Sequence, residues 1–289
     1  MRLLVTNDDG IESEGLHVLV RALVGAGHDL LVVAPDRDWS GASSSLGRLN
    51  ADEHLDARKV EVPGAPEAEA WSLAGPPGLC VLATALQAFG PRPDLIVSGI
   101  NAGLNTGRAI LHSGTVGAVL TGQNFGLSGL AVSVQAVEPW HWDTAARLAV
   151  ETVPLVAEAP PRTALNLNVP GRPRDEVKGV RWARLAPFGE VRAAVAGIHD
   201  GRIQFELVAH DSPFPADSDE GLVRDGWAAL TTLVGIAEAW PTDELAEAPT
   251  PVVDADVLAP GAPLHAVHRV PDASAPRTLH RPKLADPDD

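Results

Sequence analysis

The sequence is short of thiols, of positive charge and of long apolar runs. Each shortage removes a class of protein. A single cysteine, Cys80, excludes an intrachain disulfide framework and any cysteine-rich zinc site. It agrees with a reducing compartment, so a cytoplasmic location is expected. Lys and Arg number 22 against 38 Asp and Glu, a net charge of −16. A chain this acidic is poorly suited to gripping a nucleic-acid backbone. It can still take a small phosphorylated ligand through a cation, which inverts the local charge logic. No run of 18 apolar residues occurs, so no membrane-spanning helix is expected. The opening Met1–Thr6 stretch is cut short by Asp8 and Asp9 and does not read as a signal peptide. No repeat of solenoid period is visible.

What remains is an ordinary globular composition, 45% hydrophobic and 21% charged over 289 residues. That length buries a sizeable core without covalent staples. Leu3-Leu4-Val5 reads as a buried strand, Ser13 to Gly25 as a helix, and Leu30 to Ala34 as a second strand. Leu79 to Phe89 reads as a helix, Leu95-Ile96-Val97 as a strand and Gly114 to Gly122 as a helix. Leu130 to Val134 is the next strand, residues 142–157 a helix and Leu165 to Val169 a further strand. Apolar strands alternating with helices predict an α/β fold, a doubly wound and mostly parallel sheet covered on both faces. Val180 to Arg192 and Arg202 to His210 alternate and read as hairpin material. One domain is expected over residues 1–240, with a hairpin appendage at about 178–210. Residues 241–289 carry nine prolines and are expected to be extended or disordered.

Four polar segments carry the chemistry. Thr6-Asn7-Asp8-Asp9-Gly10 follows the first strand, at the edge where open α/β sheets bind ligands. Two adjacent carboxylates suit a hard cation such as Mg²⁺ or Mn²⁺, although Asn, Asp and Gly also make ordinary turns. Ala34-Pro35-Asp36-Arg37-Asp38-Trp39-Ser40-Gly41-Ala42-Ser43-Ser44-Ser45 follows the second strand; it is either an anion-approaching loop or a flexible serine-rich one. Ser98-Gly99-Ile100-Asn101-Ala102-Gly103-Leu104-Asn105-Thr106-Gly107 is neither a dinucleotide fingerprint nor a phosphate-binding P-loop. Its asparagines are acceptable ligands for a hard cation, and a plain flexible loop is the alternative. His112-Ser113-Gly114-Thr115 opens a helix, as a cap or as a phosphate site; His112 is a candidate acid–base group or phosphate donor. In a doubly wound sheet the four segments converge on one edge, which suits metal-assisted phosphate hydrolysis.

Taken together, these motifs resemble the SurE family of stationary-phase survival proteins and 5'-nucleotidases, in order and spacing across residues 1–135. Weaker echoes follow at Leu165 to Pro170 and at Asp217 to Leu233. The resemblance implies a Rossmann-like core with a hairpin-bearing C-terminal part used in homodimers or homotetramers. It implies one divalent metal ion per subunit, Mg or Mn, and hydrolysis of nucleoside 5'-monophosphates to nucleoside and phosphate. Some members also act on 3'-monophosphates and short polyphosphate. By resemblance, Asp8 and Asp9 are catalytic; Asp8, Asp9, Ser40 and Asn101 hold the metal; Asn7, Ser113, Gly114 and Thr115 contact phosphate. The chain departs from the family at His112, at Asp38-Trp39 and at Gly75-Pro76-Pro77-Gly78-Leu79-Cys80. Trp39 is a candidate to stack on a base. The rival readings are a zinc-dependent amide hydrolase, whose first histidine ligand is missing here, and a non-catalytic nucleotide or metal sensor on the same fold. A structural oligomer would leave the clustered Asp, Ser and Asn unexplained.

Overall fold

The computed structural model describes residues 1–49, 54–188, 191–199, 202–209 and 213–237. The chain opens with β1 (Arg2–Thr6), α1 (Glu14–Gly25) and β2 (Asp29–Pro35), the β-α-β unit expected from the apolar runs. Ser13 caps α1 by accepting a hydrogen bond from the Leu16 amide. Next come β3 (Ala57–Val60), β4 (Glu69–Leu73), α2 (Pro77–Ala85), β5 (Leu95–Ala102), α3 (Gly114–Asn124) and β6 (Ser128–Val134). Then follow α4 (Trp142–Glu158), β7 (Ala164–Val169), β8 (Val180–Trp182), β9 (Val191–His199), β10 (Arg202–Ala209), α5 (Asp219–Arg224) and β11 (Ala228–Leu233).

Nine strands form one sheet in the order β3-β4-β2-β1-β5-β6-β7-β11-β8. The run from β4 to β7 is parallel, whereas β3 and β11 enter antiparallel to their neighbours β4 and β7. This is the mostly parallel α/β sheet that the alternation of strands and helices predicts. Period-two alternation divides the core. Leu3 and Val5 of β1 pack on one face with Leu16, Leu19 and Leu148 of α1 and α4. Leu4 packs on the other with Cys80 and Val116 of α2 and α3. All strands from β4 to β7 therefore end on the same edge, and their loops meet there.

Two expectations are corrected, and two strands are added. Val180 to Arg192 is not one hairpin arm: β8 at its start joins the main sheet alongside β11, and only Val191 and Arg192 at its end enter the hairpin, which pairs β9 with β10. Alternation marks an extended chain; the free edge beyond β11 chose the partner. The polar stretch after Val97 is not all loop. β5 continues through Asn101 and Ala102, pairing with Ser133 and Val134 of β6 after an irregular register. A Cβ on Gly99 would lie 2.3 Å from the Val132 carbonyl oxygen, so glycine permits this close pairing. Finally, β3 and β4 are strands that no apolar run announced. The proline-rich segment 241–289 lies outside the described residues.

Leu4 is fully buried in the middle of the sheet. Leu4→Ala is expected to lower the unfolding free energy by about 2–5 kcal/mol in urea titration. A loss under about 1 kcal/mol would contradict the packing described for this face.

Candidate active site

The first functional loop is locked before it reaches any ligand. Asn7 donates through Nδ2 to the Gly10 carbonyl at 3.0 Å and to Ser13 Oγ at 2.7 Å. These contacts fix the turn that presents Asp8 and Asp9. A Cβ on Gly10, at φ +100°, would sit 3.0 Å from the Arg37 carbonyl carbon. Glycine thus allows the loops after β1 and β2 to touch. The Trp39 amide donates to the Asp8 carbonyl at 2.8 Å, a second tie between them.

Asp8 is only 3% exposed, and its carboxylate is gripped by the N-terminus of α3. The Gly114 amide donates to Oδ2 at 3.1 Å, and the Thr115 hydroxyl donates to Oδ1. A Cβ at Gly114 would lie 2.6 Å from Asp8 Cβ and 2.7 Å from Oδ2. Only glycine lets the carboxylate approach this closely. Ser113 caps the helix by accepting from the Val116 amide at 3.1 Å. Its own hydroxyl hydrogen stays available to a ligand.

Asn101, at the end of β5, completes the cluster. Its Nδ2 donates to the Gly103 carbonyl at 2.7 Å, so its Oδ1 is the atom 3.2 Å from Thr115 Oγ1. Thr115 has one hydroxyl proton, and Asp8 is its nearer partner. Asn101 Oδ1 therefore keeps acceptor capacity. The Ala102 amide donates to Asp9. The loop after β2 is seated on two helices: Ser43 Oγ donates to the Leu111 carbonyl at 2.7 Å, and Ser44 Oγ to the Gly117 carbonyl at 3.2 Å. A Cβ on Gly117 would be 2.2 Å from the Ser43 carbonyl oxygen. The Arg37 guanidinium lies 4.7 Å from the Trp39 ring centroid and covers one of its faces.

The electrostatics follow from burial. Desolvation raises the Asp8 carboxyl above its ordinary value, against the opposing pull of the Thr115 hydroxyl and the local amides. Burial, then the negative charges of Asp8 and Asp38, push Asp9 up to about 6. Two adjacent carboxylates beside a free amide oxygen are hard-oxygen donors of the kind that could hold a divalent cation. Among the described residues no group of three or more His, Cys, Asp or Glu could hold a metal. A cation held here would need neutral oxygens as well, and Asn101 Oδ1 is one such atom.

The survival protein SurE family model matches residues 3–189. The 5'-nucleotidase SurE of Stenotrophomonas maltophilia strain K279a is 42% identical over 207 residues, covering 68% of this chain and 74% of that protein. The 5'-nucleotidase SurE of Aeromonas hydrophila is 40% identical over 187 residues, covering 64% of this chain and 72% of the relative. The crystal structure of the SurE protein from Aquifex aeolicus shares the fold with a TM-score of 0.69 at 30% identity. That likeness covers 82% of this chain and 95% of the other. The chain belongs to the SurE family.

Within this SurE chain, the sequence-based candidates are distributed as follows. Asp8, Gly114 and Thr115 share one hydrogen-bonded cluster; Asn101 Oδ1 lies 3.2 Å from Thr115 Oγ1 beside it, and Asp9 adjoins through Ala102. Ser40 lies beside it in the loop that Trp39 ties to Asp8, and its amide and hydroxyl both donate to Asp38 Oδ1 at 2.7 Å. Asn7 spends its amide nitrogen on the turn, and its buried Oδ1 has no partner. Gly114 and Thr115 spend their donors on Asp8, leaving Ser113 as the hydroxyl at the helix start with a proton to give. His112 is exposed at the end of the 3₁₀ turn Gly107–His112.

Composition did not point to two further residues, Asp219 and Glu220. Both are fully buried at the start of α5, outside the stretch that the family model matches. Asp219 accepts from the Gly107 amide at 2.8 Å and the Ala186 amide at 2.9 Å; Glu220 accepts from the Thr106 hydroxyl at 2.7 Å. Asn105, in the same loop, is held by Asn166, Asn168 and Ser133. Together they anchor the segment that follows Asn101. The one available signal was Ser218 before two acids, a helix-cap pattern.

Gly114→Ala is expected to displace Asp8. It should cut phosphate release by about tenfold or more and cost about 1–3 kcal/mol of stability. Wild-type turnover in a folded Gly114→Ala variant would refute the clasp. The pH dependence has a defined sign. A carboxyl raised from 3.8 to about 6 binds its proton more tightly folded than unfolded. The metal-free protein should therefore lose stability as pH rises from about 4 to 6, and divalent cations should restore it above that window. Cation affinity should be weaker at pH 5 than at pH 7 by calorimetry. Equal affinity at both pH values would contradict the raised carboxyl.

Proposed function

We propose that this chain is a divalent-metal-dependent 5'-nucleotidase that hydrolyses nucleoside 5'-monophosphates to nucleoside and phosphate. One observation carries the reading: the buried Asp8, clasped by the N-terminus of α3, stands with the half-buried Asp9 and with Asn101 Oδ1 at the sheet edge where α/β folds bind ligands. Two relatives that share this fold are named 5'-nucleotidases.

Asp8, Asp9, Asn101 and Ser40 are the residues that would hold one Mg²⁺ or Mn²⁺. When bound, that cation would polarise the phosphoryl oxygens and neutralise charge as the phosphorus–oxygen bond breaks. The protein's own part is to fix geometry. The α3 clasp holds Asp8 still, so no reorganisation is needed as charge develops. Ser113, free to donate, is suited to a phosphate oxygen. The ring of hydrogen bonds around Asn105 and Asp219 holds the segment after Asn101 in register with α3. Water adds to phosphorus, the bond to O5' breaks, and the departing nucleoside oxygen takes up a proton.

The finer parts of the reading rest on family resemblance: activity on 3'-monophosphates and short polyphosphate, and assembly into homodimers or homotetramers through the β9–β10 hairpin. A cytoplasmic location rests on the lone cysteine and on the absence of any long apolar run.

The test is phosphate release from a panel of nucleoside monophosphates with Mg²⁺, with Mn²⁺ and with EDTA. Release should require a divalent cation. Asp9→Asn should lower both cation affinity and turnover, turnover by about 100-fold or more. Full activity in EDTA, or in Asp9→Asn, would overturn the ligand assignment. Tight nucleotide binding without release under any metal would favour the sensor reading.

A further inference from the structure

Ser40 is held from two sides. It is the second residue of a turn closed by the Ala42 amide, which donates to the Trp39 carbonyl at 3.0 Å. Gly41 takes the third position of that turn at φ +86°, a conformation that glycine adopts freely. Behind the turn stands Asp38. Its Oδ1 accepts from both the amide and the hydroxyl of Ser40, each at 2.7 Å. Between the two residues, the Trp39 amide fastens the turn to the Asp8 carbonyl at 2.8 Å.

These contacts decide what Ser40 can offer. Its one hydroxyl proton goes to a carboxylate, so Oγ has none left for a phosphate. Among the described residues nothing donates to Oγ, and its lone pairs stay open. Donating to an anion also makes that oxygen a better ligand, because hydrogen bonds in a chain polarise one another. Asp38 keeps acceptor capacity of its own: among the described residues Oδ2 takes no hydrogen bond. After burial and the Asp8 charge, Asp38 is the third influence that raises Asp9, so its charge reaches the site. Yet Asp8, Asp9 and Asp38 do not make a group of three acids able to hold a metal. Asp38 is therefore connected to the ligands through Ser40 and does not stand among them.

An Asp two residues before an accepted amide also makes an ordinary turn, in which the side chain only shapes the loop. That role needs the amide of Ser40 alone. Here the hydroxyl is engaged as well, and the charge is added beside two other carboxylates, which is unfavourable unless a cation joins them.

We propose that Asp38 is a positioning residue for the cation: it takes the Ser40 hydroxyl hydrogen bond, fixes Oγ as a pure acceptor and strengthens it as a ligand. The proposal rests on the ligand assignment of the nucleotidase reading and adds to it a residue outside the four ligands.

The experiment is calorimetry of the full chain, stripped of metal, with Mg²⁺ and with Mn²⁺. It compares the wild type, Asp38→Asn, Ser40→Ala and the double variant. Asparagine keeps an oxygen for the Ser40 amide, so the turn survives and only the charge is lost; a loop-shaping role would not register the change. Outer partners of metal ligands are worth about 10–100-fold in affinity. Asp38 and Ser40 are exposed, so solvent screens part of the charge and about tenfold weaker binding is expected in Asp38→Asn. In the Ser40→Ala background the same change should cost less than about threefold, because the connecting oxygen is gone. Melting in EDTA should show no loss of stability in Asp38→Asn. Asp38→Ser, which also keeps a turn-forming oxygen, decides the matter if Asp38→Asn does not fold. Unchanged cation affinity in Asp38→Asn overturns the proposal. An equal loss with and without Ser40 also overturns it, since Asp38 would then act on the cation directly. The readout needs no nucleotide, so the two readings fail separately. The expected affinities without phosphate release support the role of Asp38 and overturn the nucleotidase. Phosphate release with unchanged affinity in Asp38→Asn does the reverse. A wild type that binds neither cation overturns both.

Discussion

The site depends on one buried contact, the Asp8 carboxylate against the N-terminus of α3. Burying a carboxylate is costly unless donors replace the lost water. Here the Gly114 amide and the Thr115 hydroxyl do so, aided by the partial positive charge at the helix start. The replacement is incomplete, because burial still raises the Asp8 carboxyl. That residual strain is useful: a site that stabilised its anion fully would gain little from a cation. The contact also joins β1 to α3, elements more than a hundred residues apart in the chain.

From that clasp the other loops can be understood as layers of support. Asn7 and Gly10 shape the turn that carries Asp8 and Asp9. Thr115 holds Asp8 and stands against Asn101. Gly117 admits the serine loop against α3, and the buried acids Asp219 and Glu220 hold the loop beyond Asn101. Burial also raises the Asp219 carboxyl, which accepts three backbone amides. The late segment of the chain thus serves the site without entering it. The arrangement keeps the acidic groups dry and close, the condition under which a cation and oriented donors act most strongly.

Much of this was legible beforehand. The apolar runs at Leu3, Leu30, Leu95, Leu130 and Leu165 gave the buried strands, because a parallel sheet covered on both faces needs continuous apolar chain. The positions of Asp8, Asp9 and Ser113 at strand and helix ends followed from where those runs stop. Legibility failed where a residue's neighbour, rather than its own pattern, decided its state. Charged Arg58 and Lys59 lie in β3 because β4 offered an edge. Val180 to Trp182 joined the main sheet for the same reason. The stretch at Gly99 to Ala102 looks like loop by composition yet pairs with β6.

The sequence by itself determined the α/β class, the alternating faces of its strands and the set of hard-oxygen side chains at one edge. Those follow from local periodicity and from the chemistry of each residue. Only the tertiary structure decided which donors were already spent. Gly114 and Thr115, which read as phosphate contacts, give their hydrogen bonds to Asp8; Asn7 gives its amide to the turn; Ser113 keeps a proton. The reason is physical. A donor or acceptor can be counted in a sequence, but whether it is satisfied depends on groups brought beside it from distant parts of the chain.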